Sequence, residues 1–204
     1  MTWRYGFELE GFWTDGEGKV VLPPAGLPTD GFPGLVEYRS SGGGDLEKQY
    51  LDVWNQYRKN PFDLSIDAYK FSTKEKQLIR RRGITKECDN VSNIYGRAPK
   101  DWRGYTRSSF QINISYEAYP ESKDKEGHII PARYVLFDFV PIIKALDDVF
   151  GGDIKLTNRQ PGCYSIKDQC RLEYRSLSSM SFHPSMEHMT EVVNRIRKAV
   201  EEQN

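Results

Sequence analysis

The chain contains no apolar run of the about 20 residues that a membrane-spanning helix needs, and its first residues lack the architecture of a signal peptide. Its cysteines, Cys88, Cys163 and Cys170, are odd in number and follow no metal-ligand spacing. The few histidines show no such spacing either. These absences argue against a membrane protein, a disulfide scaffold and a zinc site. They predict a protein with free thiols that resides in the cytoplasm.

The chain also lacks an excess of either charge. Its 29 Lys and Arg residues balance its 29 Asp and Glu residues, so the formal net charge is zero. Bulk electrostatics therefore argue against both nucleic acid and a membrane surface as partners. The 204 residues suffice for one sizeable core, and no linker or low-complexity tract divides them. We expect a single domain over residues 1–204.

One tetrapeptide, Glu-Tyr-Arg-Ser, occurs twice, at 37–40 and at 173–176, and each copy follows an aliphatic residue. Alternate side chains of a β-strand point to opposite faces. In the first copy, Glu37 and Arg39 would therefore lie on one face and Tyr38 on the other. The second copy, preceded by an arginine, predicts the same division of charged and apolar side chains.

The segment 6–12 follows the same rule near the start of the chain. Glu8 and Glu10 alternate there with Phe7 and Leu9. If the three segments share one sheet, one of its faces gathers carboxylates and guanidiniums. Such a face suits metal ions and phosphates.

The polar face has a simpler interpretation, because antiparallel sheets commonly keep one charged face in water. Two observations count against it. The charged positions of these strands hold Glu and Arg but no Lys, and only Arg offers a planar fork to carboxylate and phosphate. In addition, Glu8 and Glu10 repel each other unless a cation lies between them. We therefore favour a binding site over a solvated face.

The remaining segments indicate an α+β fold. Segment 109–119 alternates as a long strand, whereas 46–57, 135–150 and 186–200 indicate helices with apolar faces. Within 135–150, Pro141 offers a second possible start, because proline suits a first helical turn. Asp45 is placed to cap the first of these helices. We expect an antiparallel sheet with helices packed on its apolar face.

A run of small residues, 40–44, precedes the first helix and is rich in Ser and Gly. Such a run can cradle a phosphate. It lacks the Lys of a P-loop, and Asp45 would repel an anion there. The run therefore predicts a flexible turn between strand and helix.

Three segments together resemble the carboxylate–amine ligases of the glutamine synthetase and glutamate–cysteine ligase superfamily. They are the Gly-x-Glu-x-Glu strand at 6–10, the segment 30–40, and the Glu-x-Arg strand at 171–177 with its preceding residues 162–164. They occur in family order and resemble most the small amidoligase-like members found in phages. The resemblance implies a curved antiparallel sheet whose concave, acidic face holds ATP and divalent metal ions, with helices on the opposite face.

The reaction that the resemblance implies has two steps. ATP phosphorylates a carboxylate, and an amine then displaces phosphate from the acyl phosphate to leave an amide. The substrates would be a carboxylate and an amine, each a small molecule or part of a peptide. Mg²⁺ suits this chemistry because it prefers carboxylate oxygens and keeps positions for nucleotide phosphates. Phosphoryl transfer itself needs positioning and positive charge.

The resemblance also assigns roles to individual side chains. The implied metal ligands are Glu8, Glu10, Glu37 and Glu173. The implied catalytic cations are Arg175, for the transferring phosphoryl group, and Arg39 and Arg171, for phosphate or the substrate carboxylate. The implied cofactor-binding residues are Gln111, Asn113 and Arg159.

The chain departs from the family pattern in its central strand, where Gln111 and Asn113 replace a His-x-His motif. An amide oxygen can ligate Mg²⁺ but cannot shuttle a proton. The chain is also short for the superfamily, which leaves room for a homo-oligomer in which another subunit completes the nucleotide pocket. Two alternatives stay open: a non-catalytic or nucleotide-binding relative, and a metal-dependent phosphoesterase or nuclease that uses the same acidic face.

Overall fold

A computed structural model describes residues 2–29, 35–81, 91–97, 105–168 and 170–202. Its strands are β1 (Thr2–Phe12), β2 (Leu35–Arg39), β3 (Ala68–Tyr69), β4 (Ser92–Asn93), β5 (Thr106–Arg107), β6 (Ser109–Tyr119), β7 (Ser122–Lys123), β8 (Ile129–Ile130), β9 (Arg133–Val135), β10 (Cys163–Lys167) and β11 (Arg171–Leu177). Its helices are α1 (Leu46–Lys59), α2 (Thr73–Arg81), α3 (Phe139–Val149), α4 (Gly151–Leu156) and α5 (Met186–Glu201), with a short 3₁₀ turn at Ser179–Ser181. Residues 30–34, which belong to the second resembling segment, lie outside the described ranges.

The main sheet has the strand order β2-β1-β6-β11-β10-β4, with β9 also paired to β6. Every pair in it is antiparallel, and together with the helices it confirms the expected α+β class. The register places Glu8 between Arg39 on one neighbouring strand and Gln111 on the other. It also places Glu173 opposite Asn113. The three acidic strands therefore lie in one sheet.

The apolar face of this sheet carries the core. Phe7 and Phe110 stack across neighbouring strands with ring centroids 5.4 Å apart, and Tyr174 lies buried on the next strand but one from β1. Residues of α1, α3 and α5 pack into the same apolar cluster. Full burial of a side chain such as Phe stabilises the fold by about 1.5–3 kcal/mol. This packing fixes which face of each strand is left for the polar side chains.

Two of the covering helices begin at the expected residues. The Asp45 carboxylate accepts a hydrogen bond of 3.0 Å from the Lys48 amide and caps α1. The Ser185 hydroxyl accepts one of 3.2 Å from the His188 amide and caps α5. Within the described residues, no helix is both long and apolar enough to cross a membrane.

The third helix begins close to Pro141 and after residue 135. Val135 pairs with β6 as part of β9, and α3 begins only at Phe139. The reason is local, because the Asp138 carboxylate accepts a hydrogen bond of 3.1 Å from the Val140 amide and caps the helix there.

Candidate metal centre and adjoining pocket

Three carboxylates meet on the polar face of β1 and β2. Glu10 lies directly opposite Glu37 in the sheet, and Glu8 is one step along the same face of β1. One oxygen of each carboxylate lies within 4.8 Å of the corresponding oxygens of the other two. The exposed fractions of Glu8, Glu10 and Glu37 are only 9%, 6% and 7%. We call these three residues the carboxylate cluster.

The neighbouring strand β6 supplies hydrogen-bond donors to the cluster. Ser109 Oγ donates to Glu10 Oε2 at 2.5 Å, and Gln111 Nε2 donates to Glu10 Oε1 at 2.8 Å. Asn113 Nδ2 donates to Glu8 Oε1 at 3.3 Å. The two amide residues expected at a cofactor site therefore contact the carboxylates directly. Ser109 was missed from the sequence, although it shares the strand alternation of Gln111 and Asn113.

The other atom of the Gln111 amide has no such partner. Gln111 is 1% exposed, and its Oε1 is buried without a hydrogen bond. Because its Nε2 is directed at Glu10 and at Ser109 Oγ, 2.9 Å away, the amide orientation is fixed beside the cluster. A buried polar atom left unsatisfied costs about 1–3 kcal/mol. A donor or a cation at this position would remove that cost.

Arg39 is a cation in contact with the cluster. Its Nη2 lies 2.6 Å from Glu37 Oε1, and its Nε lies 3.8 Å from Glu8 Oε1. The Arg39 side chain is 61% exposed, so solvent screens the attraction and each contact contributes little. The guanidinium therefore offsets only part of the repulsion within the cluster.

The pKa of Glu8 is raised above its usual range, and burial is the largest cause. Arg39 opposes this rise, whereas the negative charge of Glu173 adds to it. The guanidiniums of Arg171 and Arg175 also lower it. The charges of β11 thus act on the cluster, although they belong to a strand two positions away from β1.

Glu173 is the fourth implied metal ligand. Among the described residues, it does not belong to the group of carboxylates whose oxygens lie within 4.8 Å of one another. It is 2% exposed and accepts a hydrogen bond of 3.0 Å from Ser165 Oγ. It also forms an ion pair with Arg175, and Lys167 Nζ lies 3.8 Å away. The structure therefore places Glu173 and Arg175 together, as a pair adjoining the cluster.

Arg159 lies in a separate buried network at the start of β6. Its Nη2 contacts Asp67 Oδ1 at 2.8 Å, and it also donates to the carbonyl oxygen of Ser108. Burial lowers the pKa of Arg159 to about 10, against the opposing effect of Asp67, and the charge of Glu10 also acts to raise it. The expected phosphate-binding side chain is thus engaged with Asp67, which the sequence did not indicate.

A pocket of about 390 Å³ adjoins the carboxylate cluster. Part of its wall is the loop 40–43, which is tied to β1 by Tyr5 N–Gly43 O and Gly43 N–Tyr5 O hydrogen bonds of 2.7 and 2.9 Å. The turn expected from the composition of this loop thus makes two backbone hydrogen bonds to β1. The other side chains that line the pocket include Arg4, Glu8, Arg39, Asn113, Asp168 and Arg171.

A second group of possible metal-binding side chains lies on the turn between β7 and β8. It consists of Asp124, Glu126 and His128, all exposed. Asp124 Oδ1 accepts the amides of the other two residues at 2.8 and 2.9 Å. These bonds within the turn account for the grouping, so it supports no metal site.

Comparisons of this chain with protein-family models, with curated proteins and with solved structures find no match. The candidate site is therefore judged by its own chemistry. The three carboxylates form an all-oxygen set, which suits hard cations such as Mg²⁺ and Ca²⁺. The residues present fit a divalent metal ion.

Proposed function

We propose that this protein is an ATP- and Mg²⁺-dependent ligase that joins a carboxylate to an amine. The observation that carries the proposal is the carboxylate cluster, buried beside the unsatisfied oxygen of Gln111 and next to a pocket with arginines. Clustered buried carboxylates are costly without a cation. The resemblance of the three acidic strands to carboxylate–amine ligases supports the choice of reaction.

In this proposal Glu8, Glu10 and Glu37 hold the metal ion, and Gln111 Oε1 is a further oxygen beside it. When bound, Mg²⁺ would neutralise the phosphate oxygens of ATP. Arg39 and Arg171 line the pocket and would orient phosphate or the substrate carboxylate. ATP and Mg²⁺ would come from the cytoplasm, the expected compartment.

Glu173 and Arg175 would act together at the edge of the site. The pairing with Glu173 fixes the position of the Arg175 guanidinium, whose side chain is 19% exposed. A fixed, desolvated guanidinium is suited to stabilise the charge of a phosphoryl group in transfer. Neither Gln111 nor Asn113 can titrate, so the amine substrate would lose its proton to a carboxylate or to water.

The first test is calorimetric titration of the whole chain with Mg²⁺ and with Mg²⁺-ATP, followed by an assay for ADP release with a panel of acids and amines. We expect metal-dependent ATP binding, and ADP release only when both substrates are present. The variant Glu10→Gln should lose metal binding, whereas Glu126→Gln, on the exposed turn, should retain it. Absence of heat with Mg²⁺ and with Mg²⁺-ATP would refute the proposal.

The same experiment separates the alternatives. A nucleotide-binding relative without activity would bind Mg²⁺-ATP and release no ADP with any pair of substrates. The side chains of Gln111 and Asn113 favour this alternative, because both donate to carboxylates that a catalytic site would use. A phosphoesterase would instead cleave a model phosphodiester in the presence of metal, and Glu10→Gln would abolish the cleavage.

A further inference from the structure

Arg39 takes part in two neighbouring features of the polar face. Its guanidinium contacts Glu37 with Nε and Nη2 at 2.7 and 2.6 Å, and approaches Glu8 at 3.8 Å. The same side chain lines the adjoining pocket. Its side chain is 61% exposed, so a molecule in the pocket can reach it.

The far side of this pocket carries two more guanidiniums. Arg171 Nη1 donates to Asn113 Oδ1 at 3.0 Å, and Arg4 Nη1 lies 3.5 Å from Glu117. Arg4 and Arg171 are 37% and 36% exposed at the side chain, so both can reach a bound molecule. Gly6, two residues along β1 from Arg4, has no side chain, which leaves space above the sheet.

The guanidiniums of the pocket are its means of binding an anion. Its lining holds Arg4, Arg39 and Arg171 beside Glu8 and Asp168, and the three guanidiniums contact the carboxylates of Glu117, Glu37 and Asp168, respectively. Guanidinium forks bind the oxygens of carboxylate and phosphate groups in pairs. The chemistry that the pocket selects is therefore an oxyanion, which a carboxylic acid or a phosphate can supply.

Arg39 and a metal ion compete for the same oxygens. A divalent cation within the carboxylate cluster would occupy the lone pairs that Arg39 now contacts on Glu37, and its charge would repel the guanidinium. An oxyanion in the pocket would attract that guanidinium away from Glu37. Each ligand thus removes a contact that opposes the binding of the other.

We propose that a divalent cation in the carboxylate cluster and an oxyanion in the adjoining pocket bind with positive coupling, and that Arg39 transmits this coupling by moving from Glu37 to the anion. The proposal rests on the metal centre of the proposed function and adds a regulation of it. Coupling between ligands is reciprocal, so each must raise the affinity for the other by the same factor. This coupling would give the carboxylate cluster its highest occupancy by the cation when an anionic substrate is present.

The test is titration of the full chain with Mg²⁺, alone and in saturating inorganic phosphate or succinate, with free Mg²⁺ measured in each buffer. We expect the dissociation constant for Mg²⁺ to fall about tenfold in at least one anion, a typical size for such coupling. The phosphate and succinate arms show which source of oxyanion the pocket accepts. The reciprocal titration with the effective anion must give the same factor in the presence of Mg²⁺.

The variant Arg39→Gln distinguishes coupling from a structural role. It should bind Mg²⁺ more tightly than the wild type when no anion is present, because the competing guanidinium is gone, and the anion should then have no effect. A variant that merely disturbed the strand would bind Mg²⁺ more weakly. The variant Arg171→Gln should lose affinity for the anion, because it removes a guanidinium that lines the pocket.

The outcomes separate this inference from the proposed function. If Mg²⁺ binds but neither anion changes its affinity, or if Arg39→Gln retains the full coupling, the inference is wrong and the metal centre stands. If Mg²⁺ does not bind at all, the metal centre fails and the coupling fails with it.

Discussion

The buried network around Asp67 offers a quantitative test of how the polar end of the sheet is held together. The Asp67 carboxylate accepts Arg159 Nε and Nη2 at 3.1 and 2.8 Å and Ser178 Oγ at 2.6 Å, and it also pairs with Arg107. The side chains of Arg159 and Arg107 are 10% and 13% exposed. The substitution Asp67→Asn would keep the shape of the side chain and leave two buried guanidiniums without this counter-charge.

Removing one partner of a buried ion pair costs about 3–5 kcal/mol, because the other charge remains desolvated. Asn retains an oxygen that can accept from Ser178 or an arginine, so we expect the lower end, about 3 kcal/mol. For a domain of this length, each kcal/mol lowers the melting temperature by about 2–4 °C. Asp67→Asn should therefore melt about 6–12 °C below the wild type at neutral pH.

The pH dependence gives this prediction a sign. Burial acts to raise the pKa of Asp67, but the charge of Arg159, the hydrogen bond from Ser178 and the contacts of Arg107 outweigh it, so the pKa lies below its ordinary value of 3.8. A carboxyl group with a lowered pKa stabilises the fold above the unfolded value and loses that contribution as the pH falls through the folded value. The difference between wild type and variant should therefore close in acid.

Urea and thermal unfolding followed by circular dichroism, at neutral pH and below pH 3.8, would measure both effects. Asp148→Asn is the matched control, since this carboxylate is exposed on α3, and it should unfold like the wild type. Equal stability of Asp67→Asn and the wild type at neutral pH would refute the network as an energetic unit. A difference that persists unchanged in acid would refute the charge of Asp67 as its origin.

Three further predictions follow from single positions. Glu37→Gln should weaken Mg²⁺ binding by about tenfold or more in calorimetry, since the cluster loses a charged ligand, while unfolding in the absence of metal shows no loss of stability. Gly11→Ala should destabilise the fold by about 1–3 kcal/mol in urea unfolding, because its Cβ would lie 1.9 Å from the Phe62 ring, whereas Gly6→Ala, with nothing nearer than 3.5 Å, should not cause such a clash. Ser185→Ala should cost about 1 kcal/mol by removing the cap of α5, and an unchanged urea midpoint would contradict that role.

The alternation of side chains predicted much of the polar face. Glu8, Glu10 and Glu37 come together because each strand also presents apolar residues that must be buried, and a shift by one residue would expose them. The same reasoning places Gln111 and Asn113 on that face. The sequence could therefore specify the face and the residues on it from local patterns alone.

The partners within that face depend on register and on distant segments, which no local pattern contains. Alternation places Glu173 and Arg175 two residues apart on one face, but it could not show that Glu173 would stand apart from the cluster. Nor could it show that Arg159 would meet Asp67, which lies 92 residues away. Arg4 shares the alternation of Glu8 and could have been found. It was overlooked because no repeated motif drew attention to it.

The strands that carry the acidic residues also limit how water reaches them. One step beyond Glu10, on the same face of β1, lies Phe12, which packs with Leu35, Val20 and Phe71 in a small apolar cluster. These apolar side chains keep water away from the side of the carboxylate cluster next to Glu10, so the local dielectric constant is lower there. A polar residue in place of Phe12 would admit water beside Glu10. The affinity of the cluster for a cation would then fall, even though residue 12 supplies no ligand atom.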